Sequence, residues 1–365
     1  MQTLRTWARH LPMARWLKKV LVGPHREVAP PPPPIVRPTA VGTPTYQTHA
    51  GFSYKNYWPQ VDENYRSLSN PFEYHELLIE QLESLPDVTF VPLFELEAAN
   101  DPSRRIVGLR YDIDADPVTG LRAARSLARR GICGSFYLLH TAPYYGHMIG
   151  DRFVRHAQME EWLLDFIVTG CELGLHNDAF GVCQMFGRDG AQAVHDEIQW
   201  LRQYGATIRG TVAHNSGPVH KAENYEVFVE RLHWERAVQT SAGLSLPLGV
   251  LSEVGLGLTY EGTFSRTKPQ IDLSRTDAFL NNKENTGVRS DAWMKTFLLD
   301  NPYREFTLDF QYWLVGRDEW VFSGQYEGKE YFRSLINLNE VFETLQAIPS
   351  GTKTLFVLHP EYFKN

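Results

Sequence analysis

The chain has 365 residues, 43% hydrophobic and 22% charged, the make-up of a globular protein with length for one large barrel or two modest domains. A net charge of −7 gives nucleic acid no electrostatic reason to bind, so no nucleic-acid partner is expected. Only three cysteines occur, Cys133, Cys171 and Cys183, none in a Cys-x-x-Cys pair; they argue against a disulfide framework or a thiolate zinc site and suit a reducing compartment.

Met1 to Val22 is basic (Arg5, Arg9, Arg15, Lys18, Lys19), with Leu4, Trp7, Leu11, Ala14 and Leu21 near one helical face that Pro12 interrupts. Two readings fit: a surface helix drawn to anionic lipid, and a mobile tail. No apolar run is long enough to span a bilayer, and no secretory signal follows the charges. A cytoplasmic protein is expected, with this segment the candidate for peripheral membrane contact. The run Pro30 to Pro34 favours an extended spacer, so residues 1–45 are predicted to be a flexible tail and 46–365 a single domain.

Asn70-Pro71 predicts a capped helix start carrying Phe72, Leu78, Ile79 and Leu82, and Val88 to Leu93 reads as a strand. Strand and helix then alternate. Ile106 to Ile113, Ile132 to Leu139, Cys171 to Leu175 and Ile208 to Ala213 are strand-like. Pro117 to Arg130, Phe153 to Thr169 and Asp189 to Tyr204 are helical. Past Ala222 the pattern loosens, until a helix at Leu338 to Ala347 leads into a strand at Thr354. Such alternation implies parallel strands joined by crossovers, an α/β fold whose strand ends surround one mouth.

Four of these strands end in an acid or an imidazole. Asp112 and Asp114 lie two apart, on one strand face, and two carboxylates held close invite a cation. A calcium loop beginning at Asp112 fails, because Pro117 and Ala123 stand where Gly and Glu are required; Asp116 reads as a helix cap before Pro117. His176 has the chemistry of a zinc ligand, and His214 is the third ligand by position. His359 is placed to give a proton to a leaving group, and His140 competes for these roles. Tyr144 and Tyr145, in the loop after a strand, suit a sugar-stacking wall or ordinary loop packing.

Leu109-Arg-Tyr-Asp-Ile-Asp-Ala-Asp-Pro117, Gly134-Ser-Phe-Tyr-Leu138, Glu172-Leu-Gly-Leu-His176 and Phe356-Val-Leu-His359 together resemble the polysaccharide deacetylase family, also called NodB-homology or family-four carbohydrate esterases. The resemblance spans roughly residues 106–365. It implies a distorted (β/α) barrel of the polysaccharide-deacetylase type, with one divalent metal ion, zinc by its donor set, and an N-acetylated sugar or glycan as substrate. By it Asp112 matches the catalytic base, Asp114 the metal-binding acid, His176 the first metal histidine and His359 the late general acid. The chain departs from the pattern in two places. Ala179-Phe180 replace the usual second histidine, which leaves the role to His214, and no Arg-x-Pro follows Arg209.

The resulting expectation is a metal-dependent hydrolase removing acetyl from an N-acetylated sugar. Two alternatives stand beside it: a two-carboxylate glycosidase, which needs neither His176 nor His214, and a catalytically silent carbohydrate-binding protein.

Overall fold

The computed structural model describes residues 70–214, 224–231, 248–263, 305–310, 320–326, 329–335 and 338–363. The expected tail, 1–45, lies outside them. Among the described residues no helix is long and apolar enough to cross a membrane.

The fold is mixed α/β. Its main sheet is built from β1 (Val88–Val91), β2 (Arg105–Ile113), β3 (Ser135–Leu139), β6 (Glu172–Asn177), β7 (Ile208–Ala213), β8 (Tyr260–Glu261), β9 (Glu305–Phe310), β10 (Trp320–Tyr326), β11 (Lys329–Leu335) and β12 (Lys353–Leu358). Their order is β11-β10-β9-β12-β2-β3-β6-β7-β8. The seven from β9 to β8 run parallel and curl into a half-barrel; β10 and β11 extend it as antiparallel neighbours. β1 pairs with β2 over Arg105 to Gly108, and β3 takes the same edge over Arg110 to Ile113.

Helices α1 (Phe72–Ser84), α2 (Pro117–Arg130), α3 (Met159–Thr169), α4 (Gly190–Gln203) and α5 (Leu338–Ala347) bring their apolar faces to one continuous core against the sheet. Tyr111 and Phe136 stack in it at 4.5 Å, beside Phe166 of α3. Parallel strands covered on both faces are rich in apolar residues, which is why β2, β3, β6 and β12 stand out in the sequence. A second, smaller cluster lies inside the curl: Leu93, Tyr137, Val212, Tyr260, Leu355 and Val357.

Several local expectations change. Asp116 does cap α2, accepting from Val118 and Thr119 N–H at 3.1 Å, and Gly131 ends that helix at φ +74°. Asn70 does not cap α1: Pro71 holds the cap position without a side-chain bond, and Asn70 N–H donates to Tyr362 O. The strand expected to reach Leu93 stops at Val91, and Leu93–Leu96 forms one helical turn whose Leu93 enters the inner cluster. Cys133 and Cys171 fall just before β3 and β6 rather than within them.

The helix expected from Phe153 begins only at Met159. Residues before it form a hairpin, β4 (Gly146–Ile149) with β5 (Arg152–Arg155), turned at Gly150 with φ +62°. Gly150-Asp151 is a turn signal just ahead of the residues read as helical.

Candidate active site

Alternation along each strand decides which side chains enter the curl. Val107, Leu109, Tyr111 and Ile113 of β2 join the outer core, which leaves Arg110, Asp112 and the following Asp114 on the inner face. In β12, Phe356 and Leu358 face outward and Leu355 and Val357 inward, so His359 continues the inner row. Leu173 and Leu175 of β6 face outward and His176 inward.

β7 breaks the rule. Ile208 sits in the outer core and Val212 in the inner cluster, although they are four residues apart. Between Leu173 and Leu175 the register shifts: β6 advances two residues while β7 advances three, Ile208 to Thr211. This bulge reverses the parity and delivers Val212 and His214 to the interior.

The five residues expected to act together do meet at the carboxyl ends of β2, β6, β7 and β12. His176 Nε2 lies 3.3 Å from Asp114 Oδ1 and 3.8 Å from Asp112 Oδ2. His359 Nε2 is 3.8 Å from Asp114 Oδ2, and the rings of His176 and His214 meet edge-on at 5.3 Å. All are buried except His359, which is partly exposed.

His176 Nδ1 is 3.1 Å from Val212 O. A carbonyl only accepts, so Nδ1 carries a proton, and Nε2 is the nitrogen that faces the acids. Two donors held 2.0–2.1 Å from one tetrahedral ion lie about 3.3 Å apart, and the Asp114–His176 pair has that spacing. Among the described residues no group of three or more His, Cys, Asp or Glu side chains is placed to hold a metal ion. The pair brings one oxygen and one nitrogen donor together, and His214 is the adjoining imidazole.

One site residue escaped the sequence reading. Arg110, two before Asp112 on the same face, clamps it with both arms: Nε to Oδ1 at 2.8 Å and Nη2 to Oδ2 at 2.5 Å. Its Nη1 donates to Gly262 O and Thr263 O at 3.0 and 2.5 Å. The available signal was a charged residue inside an apolar strand at i−2 from an acid.

Burial pushes the Asp112 carboxyl up, but the Arg110 guanidinium, then His176, hold it below the usual carboxylate range. Asp114 is likewise lifted by burial and overruled by His176, His359 and His214, which keep it well below that range. Burial also disfavours charge on His214, yet Asp178, then Asp114 and Asp112, raise it to about 9.

His140 is not a competing ligand through Nε2, which accepts the Asp178 N–H at 2.8 Å; burial holds this imidazole down to about 4. Nor do Tyr144 and Tyr145 form a sugar wall. Both are buried: Tyr144 hydroxyl donates to Ile113 O and accepts from Leu139 N–H, and Tyr145 hydroxyl donates to Glu197. Tyr144 props the end of β2 from behind instead. Glu361 does similar work, its Oε1 accepting the amides of Ala115 and Asp116 at 2.5 and 2.8 Å, so the turn after Asp114 is tied to the turn after His359.

Comparison with protein-family models, with curated proteins and with solved structures finds no match to this chain.

Proposed function

We propose that this chain is a metal-dependent hydrolase that removes the acetyl group from an N-acetylated sugar or glycan precursor, the polysaccharide-deacetylase reading of its motifs. The observation that carries it is the Asp114–His176 pair at 3.3 Å, with Asp112, His214 and His359 at the same rim. Asp114, His176 and His214 would hold one divalent ion, zinc by its nitrogen and oxygen donors. Bound there, the ion supplies Lewis acidity to an attacking water and to the developing oxyanion.

The remaining chemistry belongs to side chains. Asp112 stays ionised at neutral pH under the Arg110 clamp and is oriented by it, as a general base must be, and it accepts the proton of the attacking water. His359 lies on the far side of Asp114 and is partly exposed, suited to protonating the departing amine at the mouth. An amide nitrogen leaves poorly as an anion, so this proton is part of bond cleavage.

A two-carboxylate glycosidase needs one acid kept protonated near neutral pH. Asp112 and Asp114 are both held in the opposite direction, so neither of this pair is suited to be that acid.

The test is metal content together with acetate release from N-acetylhexosamine substrates, before and after chelation. We expect about one zinc equivalent, acetate release, and loss of release on chelation that added zinc restores. Hydrolysis that persists after chelation, or a protein that binds no metal and releases no acetate, would refute the proposal; the second outcome would leave a carbohydrate-binding protein.

A further inference from the structure

Behind the imidazole of His214 stands a carboxylate that the mechanism above does not use. Asp178 follows β6 directly and is completely buried. Its Oδ1 accepts from Gly181 N–H at 3.1 Å and from Asn224 Nδ2 at 3.0 Å. Its Oδ2 accepts from Thr141 Oγ at 2.6 Å and faces His214 Nδ1 at 3.5 Å, the outer limit of a hydrogen bond. Asn224, equally buried, donates its second amide proton to His214 O at 2.8 Å and accepts from Phe180 N–H at 2.9 Å. Ring and backbone of His214 are therefore held by one acid–amide unit assembled from three separate stretches of chain.

We infer that Asp178 is a positioning residue that sets the tautomer and orientation of His214, so that Nδ1 carries the proton and Nε2 presents the lone pair to a divalent metal ion. This rests on the metal-site reading above. A carboxylate is an acceptor only, so the nitrogen facing it carries a proton. Partners of this kind behind a ligating imidazole fix its tautomer and raise its donor strength. His176 reaches the same state by another route, through Val212 O. Two imidazoles on adjacent strands thus have Nδ1 committed to the scaffold.

The surroundings of Asp178 make one substitution diagnostic. In Asp178→Asn the amide oxygen must take the Oδ1 position, where two donors, Gly181 N–H and Asn224 Nδ2, converge. The opposite flip would set an NH2 against both of them. The new NH2 therefore faces Thr141 and His214 Nδ1; the threonine hydroxyl rotates to accept, and Nδ1 is forced to accept as well. The proton moves to Nε2, and the lone pair offered to the metal disappears. The replacement is isosteric, so the metal-free protein should unfold near the wild-type temperature.

The experiment titrates the full-length, metal-free chain and its Asp178→Asn variant with zinc alone, and records the 15N resonances of the His214 ring in the zinc-loaded wild type. We expect zinc affinity about 10–100-fold weaker in the variant, and a wild-type ring protonated at Nδ1 with zinc on Nε2. Equal zinc affinity in the two proteins, or zinc on Nδ1 of His214, overturns this inference and leaves the hydrolase reading intact. Absence of zinc binding by the wild type defeats both. Should the variant fail to fold, the wild-type ring assignment decides alone.

Discussion

Two clusters of buried polar side chains share the inner face of the sheet, and they are finished to different degrees. Toward the amino ends of the strands, Glu172 accepts from Ser135 Oγ and Tyr260 hydroxyl at 2.6 Å each and from Phe94 N–H at 3.3 Å. The Tyr260 and Tyr137 hydroxyls meet at 2.5 Å, and Ser135 Oγ accepts Leu93 N–H. Gly174 and Gly210 make this knot possible, since a Cβ on either would overlap the rings of Tyr137 and Tyr260. Toward the carboxyl ends, acids and imidazoles instead face each other at 3.3–3.8 Å, and His359 Nδ1 is buried without a hydrogen-bond partner. The lower knot closes on itself and serves packing. The upper group gathers at the rim the side chains on which the proposed function rests.

The largest effect that would break this contrast is chemical. His176→Ala should remove zinc binding and cut acetate release by roughly 10³-fold or more, without lowering the unfolding temperature of the metal-free protein. A marked loss of stability instead would make His176 a packing residue like those of the lower knot. Next comes the clamp. Arg110→Met strands the buried Asp112 carboxylate and should cost about 3–5 kcal/mol in denaturant unfolding, whereas Arg110→Met with Asp112→Asn should recover most of it. Additive losses in the double variant would show that the two residues act separately.

A smaller effect reads pH outside the site. Burial lowers His75, whose Nε2 lies 2.8 Å from Tyr111 hydroxyl, from 6.5 to about 4. Between those values the unfolded chain binds this proton and the folded chain refuses it. Stability therefore falls as pH drops from about 6.5 to about 4 and levels off below, by at most about 3 kcal/mol from this group. His75→Gln should flatten that slope in urea titrations; an unchanged slope would assign it to other groups. The smallest effect belongs to the knot: Ser135→Ala should cost about 1–2 kcal/mol and leave zinc affinity unchanged.

Much of this was legible in the sequence because parallel strands covered on both faces are mostly apolar until they reach the rim. Asp112, His176 and His359 each end such a run, and their meeting follows from topology alone. Arg110 was legible in principle, as a charge on the same face as Asp112, but an arginine near a strand is ordinarily read as exposed. Tyr144 and Tyr145 were misjudged because loop aromatics give no sign of which way they turn; here both turn inward, under α3 and α4. The Phe153 helix failed because a short amphipathic hairpin followed by a true helix mimics one longer helix. Asp178 and Asn224 carried no signal, since their partnership spans 46 residues of sequence and exists only once β6 and β7 are paired.

The irregularity in β7 makes strand length a matter of arithmetic. Strict alternation from Ile208 would carry Val212 and His214 to the helix-covered side, and the one additional residue around Arg209-Gly210 prevents it. Loss of a single codon there would leave every site residue in the gene and still turn one imidazole to the wrong side of the wall.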